Sequence, residues 1–372
     1  MLNILFLINH AGKAGTERYV QTLVEGAARF GAAPFFAYNE PGPLLDKLLG
    51  LGVPCRRVAM RNPFDLAAAR ALAGVCGEFG IGLIHTNYLR ENYIAVFSRA
   101  FAKKKPAVAY TNHFVVGNGL PVRLANRLVT RADGAIISVC DAGVPLLVRN
   151  GNDRRKIAVV RNAVDPQAWK PGEGYAETRA RARGQLGIGP GETVFLCASR
   201  FAHDKGHKFL IGSLARLAAA HGTENMRVLL AGDGPLLGDA RGWVSEAGLG
   251  GLVRFVGYAP DLKPLFYASD AYLNPSRHEA SSFLIIEALA SGLPVIAADM
   301  GGNREIVNER NGCGTLVAYG DEGALCEAIQ KYRAGGGFLA GLKENALLTV
   351  ERDFALDGML KKTYGIFHSC AS

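Results

Sequence analysis

The sequence predicts an α/β protein of two doubly wound domains, each a parallel sheet with helices on both faces. Three observations predict it. Short apolar runs alternate with longer amphipathic stretches along the whole chain, the rhythm that builds parallel sheets. The alternation falls into two sets on either side of Asn162–Gly174, NAVDPQAWKPGEG, a stretch rich in Pro and Gly. The 372 residues suffice for about two domains of ordinary size, and 49% apolar residues suffice for two cores.

Taken in order, the first set offers Asn3–Ile8, Pro34–Tyr38, Cys55–Val58, Leu83–His85, Ala107–Tyr110, Gly134–Ser138 and Ile157–Val160 as strands. Amphipathic segments lie between them, among them Glu17–Phe30, Asp65–Phe79 and Asp141–Arg149. The second set offers Val194–Ala198, Arg227–Ala231, Val253–Phe255, Ala271–Asn274, Val295–Ala297 and Gly314–Val317. The last segment, Phe354 to His368, puts Leu356, Met359, Leu360, Tyr364 and Phe367 on one helical face. No repeat of 20–50 residues and no low-complexity tract interrupts this pattern.

Composition narrows the function. No window approaches the ~18 uninterrupted apolar residues of a membrane-spanning helix. MLNILFLINHAG lacks a basic leader and a cleavage site, so it reads as a buried first strand and not as a signal peptide. Seven scattered cysteines (55, 76, 140, 197, 313, 326, 370) form no C-x-x-C pair, which suits reduced thiols in the cytoplasm and neither a disulfide framework nor a zinc site. Residues 1–170 hold 22 Lys/Arg against 11 Asp/Glu, whereas residues 171–372 hold 20 against 22. A basic first half fits an anionic partner: nucleic acid, a membrane surface or a phosphorylated acceptor. It fits a merely basic solvated surface equally well. Leu120–Arg131 adds a short basic amphipathic helix with Arg123, Arg127 and Arg131 on one stripe and Leu124 and Leu128 on the next, the pattern of helices that lie on anionic membranes.

The chemistry concentrates between Arg277 and Val307, RHEASSFLIIEALASGLPVIAADMGGNREIV. Glu279 follows a strand that ends at Pro275, and Glu287 falls on the first turns of the next helix, with Ser281 and Ser282 as candidate N-caps. Ile285 stands where a capping box needs Glu or Gln, which leaves first-turn amides available to an anion. The carboxyl edge of an open α/β sheet is where such folds bind ligands. Ser199-Arg200-Phe201-Ala202-His203-Asp204-Lys205-Gly206 also follows a strand, and its Arg and Lys could both reach one diphosphate, Arg as a planar fork and Lys as a point charge.

This spacing of two glutamates, followed by Ala288-Leu289-Ala290-Ser291-Gly292-Leu293-Pro294-Val295-Ile296, resembles the retaining GT-B glycosyltransferases of family 4. The resemblance covers nearly the whole chain. It gives Arg200 and Lys205 the donor phosphates, Glu287 the ribose hydroxyls, and Glu279 the hydroxyls and orientation of the transferred sugar. Ser281, Ser282 and Phe283 line the donor, although many relatives read E-G-F-G where this chain has Glu279-Ala280-Ser281-Ser282. Gly232-Asp233-Gly234-Pro235 is similar to the family's G-x-G-P turn, with Pro235 expected at the first position of a helix. Tyr258, after Val253–Gly257, could stack on the base. His10–Arg18 is no dinucleotide fingerprint. Its Gly12 and Gly15 resemble the family's Gly-rich loop beside donor phosphates and acceptor. Thr111-Asn112-His113 resembles T-x-H, whose His faces the transferred sugar. Asn162-Ala163-Val164-Asp165 is similar to N-G-V-D at the hinge, with Ala163 for Gly.

The resemblance divides the chain into an acceptor-binding domain (1–165), a nucleotide-sugar domain (166–353) and a helix (354–372) crossing back to the first, with a cleft between the domains. It implies a retaining hexosyltransferase using a UDP-sugar or GDP-mannose and a glycan or lipid-linked acceptor, in cell-surface polysaccharide or lipopolysaccharide synthesis. The enzyme would be cytoplasmic or peripheral on the membrane's inner face. The chain has no D-x-D, so no metal and no cofactor is expected. A sugar-nucleotide epimerase of the same fold is the alternative. A nucleic-acid-binding protein lacks the aromatic platforms and motifs that reading needs, so no nucleic-acid partner is expected.

Overall fold

The computed structural model describes residues 1–114 and 116–372. The chain divides into two compact units, Met1–Asn162 with Asp357–Ser372, and Ala163–Leu356. Each of the apolar runs read as a strand is one. In the first unit these are β1 (Leu2–His10), β2 (Ala32–Glu40), β3 (Cys55–Arg57), β4 (Leu83–Thr86), β5 (Ala107–Asn112), β6 (Ala135–Ser138) and β7 (Ile157–Val159). They pair in parallel in the order β3-β2-β1-β4-β5-β6-β7. The order reverses beside β1, so the crevice outside the carboxyl ends of β1 and β4 is this unit's topological switch point.

The second unit holds β8 (Thr193–Ala198), β9 (Met226–Ala231), β10 (Val253–Gly257), β11 (Ala271–Asn274), β12 (Val295–Ala298) and β13 (Gly314–Val317). Their order is β10-β9-β8-β11-β12-β13, again parallel, with the switch between β8 and β11. The strands read as continuous apolar runs because helices cover both faces. On one face Phe195, Leu210, Leu214 and Val228 pack together, and on the other Leu196, Ile285, Ile286 and Leu289.

The helix Leu356–Ala371 packs within the first unit. The Tyr364 hydroxyl donates to Leu23 O at 2.5 Å, its ring stacks on Phe30 at 5.1 Å, and Asp357 pairs with Arg29 at 2.8 Å. Its buried face is Met359, Leu360, Thr363, Tyr364 and Phe367, while Leu356 is only partly buried. The segments that enter and leave the second unit run side by side: Val164 N donates to Phe354 O and Leu356 N to Val164 O. The φ of Ala163 is not positive, so its methyl group adds no backbone strain there.

The helix Leu120–Val129 has an unusual orientation. Its buried positions are Asn126 and Val129, whereas Leu120, Leu124 and Leu128 are 63%, 51% and 70% exposed. Asn126 accepts from the Tyr93 hydroxyl and donates to Asn150 O. The apolar stripe of this amphipathic helix therefore faces solvent.

Two buried acids give the first unit a pH-dependent stability. Asp133 is 2% exposed, with one oxygen on Asn92 and the other unpartnered. Burial raises its pKa from 3.8 to about 8, and burial likewise raises Glu91 to about 7. The folded state thus holds these protons more tightly than the unfolded chain. Their stabilising contribution is complete below about pH 4 and is lost as pH rises toward 8. Asp133→Asn keeps an acceptor for Asn92 and cannot ionise. It is expected to raise the melting temperature at pH 8.5 by roughly 5 °C and to change it little at pH 5. Equal shifts at both pH values would contradict this assignment.

Candidate nucleotide-sugar site

Four loops meet at the carboxyl edge of the second sheet, around the switch between β8 and β11. The loop after β8 carries Arg200 and a short turn, His203–Lys205, before the helix His207–His221. The loop after β11 carries Glu279, and the helix Phe283–Ala290 follows. Because β8 and β11 are neighbours, residues 74 apart in sequence touch: Lys205 Nζ donates to Glu279 Oε1 at 2.8 Å. Lys205 also lies 3.6 Å from Asp204. Burial acts to lower the Lys205 pKa, but Glu279 and Asp204 together outweigh it and hold the pKa above its ordinary value. Arg200 is not drawn into this pair. Its guanidinium is exposed, 4.0 Å from Asp204.

Backbone hydrogen bonds tie these loops together. Arg277 N donates to Asp204 O, Phe201 N to Asp233 O, Leu236 N to Phe201 O, and Gly302 N to Glu279 O. Glycines make the close approaches possible. A Cβ on Gly206 would lie 2.0 Å from Pro275 O, and one on Gly234 would lie 2.5 Å from Phe201 O. The turn at Gly232–Pro235 therefore wraps the backbone of the Arg200 loop. That contact also explains a departure from the sequence reading. The helix begins at Leu237, so Pro235 lies outside it and not at its first position.

The remaining second-unit candidates surround this edge. Ser282 is the N-cap, accepting from Ile285 N at 3.5 Å. Ser281 and Phe283 are partly buried beside it, and Glu287 is 1% exposed on the inner face of the same helix. Tyr258 is exposed just after β10, whose Gly257 carbonyl accepts from Gly232 N at 2.7 Å.

In the first unit, Gly12 and Gly15 lie in the loop after β1. A Cβ on Gly12 would come within 2.8 Å of the His10 ring, and Gly15 opens the helix Gly15–Gly26. His113 follows β5. Its Nε2 lies 3.0 Å from Asn87 Oδ1, and its ring meets Tyr19 edge-on at 4.9 Å. An amide oxygen only accepts, so Nε2 carries the proton and Nδ1 is the acceptor. Burial pushes the His113 imidazolium down to about 3, so the ring is neutral at physiological pH.

Several residues at these two edges were not singled out from the sequence. Asp204 sits between Arg200 and Lys205. Gly301 (φ +53°) approaches the Glu279 carbonyl, where a Cβ would lie 1.9 Å away. In the first unit Glu17 and Glu91, both buried, each have an oxygen without a partner, and Asn87 has an unpartnered amide nitrogen. The consecutive glycines after β12 were the legible signal for Gly301. The acids gave none, since each reads as an ordinary helical first-turn residue.

Two Rossmann-like parallel-sheet units, the second with this charged switch point, define the GT-B class. Residues 14–168 match Glycosyltransferase Family 4, and residues 192–334 match Glycosyl transferases group 1. The chain belongs to this family 4, group 1 set of glycosyltransferases. It is similar to the D-inositol 3-phosphate glycosyltransferase of Nocardia farcinica, 31% identical over 53% of this chain and 44% of that protein. It is also similar to the lipopolysaccharide core biosynthesis mannosyltransferase LpsB of Rhizobium meliloti, 25% identical over 57% and 60%. The matches thus span about half the length of these curated relatives. Among solved structures, Anabaena HepE in complex with UDP superimposes with a TM-score of 0.87 over 99% of this chain and 100% of that one, at 20% identity. That likeness establishes the fold. Among the described residues no helix is long and apolar enough to cross a membrane.

Proposed function

We propose that the protein is a retaining, metal-independent glycosyltransferase that moves a hexose from a nucleotide-diphosphate sugar to a hydroxyl of a glycan or lipid-linked acceptor. The Lys205–Glu279 contact at the second sheet's switch point carries this reading. It presents a protonated ammonium for diphosphate oxygens beside a carboxylate for sugar hydroxyls. Arg200, exposed on the same loop as Lys205, has the freedom to add its guanidinium to the same diphosphate. Glu287 would hold the ribose hydroxyls, Tyr258 the base, and the amides of Ser281, Ser282 and Phe283 the donor. In the first unit the loop at Gly12 and Gly15 would border the donor phosphates, and neutral His113 would face the transferred sugar.

The reaction breaks the bond from the anomeric carbon to the diphosphate and forms one from that carbon to the acceptor oxygen. The acceptor proton passes to the departing diphosphate, so no separate general base is required. Lys205 and Arg200 favour bond breaking by neutralising charge on the leaving group. UDP is the favoured base, with GDP as the other candidate. The structural likeness to a UDP-bound protein supports the first, and the resemblance to a mannosyltransferase supports the second.

The experiment is thermal-shift screening with UDP, GDP and ADP and their common sugars, with and without EDTA. A rise with one nucleotide, unchanged by EDTA, is the expected result. No rise with any of them would refute the site.

Part of the proposal is a peripheral place on the cytoplasmic membrane face, in cell-surface polysaccharide or lipopolysaccharide synthesis. The outward stripe of Leu120, Leu124 and Leu128, flanked by Arg127 and Arg131, supports it. Leu124→Asp/Leu128→Asp is expected to lower co-sedimentation with vesicles containing anionic lipid at least fivefold. Unchanged sedimentation would remove the membrane from the proposal.

A further inference from the structure

We propose that a cavity of about 210 Å³ in the first unit is a subsite for one neutral sugar residue of the acceptor. The inference rests on the glycosyltransferase reading and adds the chemical class of what this unit binds. The cavity opens at the carboxyl ends of β4 and β5, where Tyr88 follows one strand and Asn112 ends the other.

Its lining combines aromatic rings with amides. Tyr88 and Phe114 form a tilted pair with centroids 5.7 Å apart, and Phe114 is 49% exposed at the rim. Asn112, Asn126, Asn150 and Asn152 also line it. Three of these amides are engaged in building the wall. Asn112 donates to Phe114 O, Asn150 donates to Val116 O and accepts from Asn118 N, and Asn126 donates to Asn150 O. The wall is therefore set before a ligand arrives. Asn152 differs. Its Nδ2 donates to Leu147 O, but its Oδ1 is buried without a partner. An acceptor left without a protein partner in this wall is chemically matched to a hydroxyl donor.

Among the described residues the lining contains no Lys, Arg, His, Asp or Glu. A phosphorylated or carboxylated ligand would find no counter-charge there, although the surrounding unit is strongly basic. A neutral ring with C–H faces for Tyr88 and Phe114 and hydroxyls for the amides matches the lining, and the volume suits a single sugar rather than two. This separates the chain from its D-inositol 3-phosphate-acting relative at the level of acceptor charge.

The test is saturation-transfer NMR on the full chain. The probes are methyl α-D-mannopyranoside, methyl α-D-glucopyranoside and methyl N-acetyl-β-D-glucosaminide, with myo-inositol 1-phosphate as the charged probe. At least one neutral glycoside is expected to show transfer in the wild type. That signal should fall at least fivefold both in Leu147→Trp, which fills the cavity, and in Phe114→Ala, which alters an exposed rim residue and spares the core. Absence of transfer to every neutral glycoside would overturn the subsite, as would a wild-type signal in both variants or binding of the phosphate probe alone. Nucleotide-induced melting shifts on the same samples report separately on the second unit. A failed subsite with an intact nucleotide shift leaves the glycosyltransferase reading standing, and no shift of the wild type with UDP, GDP or ADP counts against that reading itself.

Discussion

Lys205→Ala is expected to reduce sugar transfer by at least about 10²-fold, the scale of losing one donor that stabilises charge developing in a transition state. The ammonium bonds Glu279 and lies 3.6 Å from Asp204. With Arg200 the four side chains are formally neutral, and without Lys205 they are negative. A diphosphate would then approach two carboxylates with only an exposed guanidinium in their place. Nucleotide affinity should therefore fall together with turnover. Glu279→Gln supplies the opposite case. The amide oxygen still accepts from Lys205, the cluster becomes positive, and nucleotide binding should hold or tighten while turnover falls. Calorimetry with the nucleotide identified by thermal shift, paired with a transfer assay, separates the two. Wild-type nucleotide affinity and wild-type turnover in Lys205→Ala would end the assignment. Lys205→Arg keeps the charge but places it on a broader, planar group, so partial recovery is expected.

The sheets were legible in the sequence because buried parallel strands are short apolar runs. β11 and β13 have the residues read from the pattern alone, and the other strands differ at their ends by one or two residues. Glu279 and Lys205 were each visible as candidates, but their contact was not. It exists because the chain skips from β10 to β11 and places β11 against β8, and strand order is not written in local periodicity. Pro235 misled for a related reason: Leu236 N is taken by Phe201 O, a partner from another loop, so the helix starts later. The helix Leu120–Val129 shows a third limit. Its stripes followed from spacing, but which stripe meets the protein depended on Asn126 finding Tyr93 and Asn150. A periodic pattern specifies two faces and leaves their assignment to the partners that tertiary structure supplies.

The second large effect is expected at Gly301, a residue with no chemistry of its own. Its φ of +53° is a left-handed conformation that other residues adopt at a cost of about 1–2 kcal/mol. A Cβ there would also lie 1.9 Å from the Glu279 carbonyl oxygen and 3.1 Å from its carbonyl carbon. These are backbone atoms, held by Gly302 N at 3.1 Å, so no side chain can swing aside. Gly301→Ala must instead displace the Glu279 loop and with it the contact to Lys205. A displacement of about 1 Å at a catalytic group costs on the order of 10²-fold in rate. Turnover should drop by that factor with a smaller loss of nucleotide affinity, because Lys205 and Arg200 sit on a different loop. Gly320→Ala is the matched control. Its φ of +90° imposes comparable strain, but nothing lies within 4 Å of the added methyl group. If both variants lost activity equally, the effect would belong to general destabilisation. Loss in Gly301→Ala alone would show that a glycine on the neighbouring strand's loop sets the position of Glu279, the carboxylate proposed to orient the sugar.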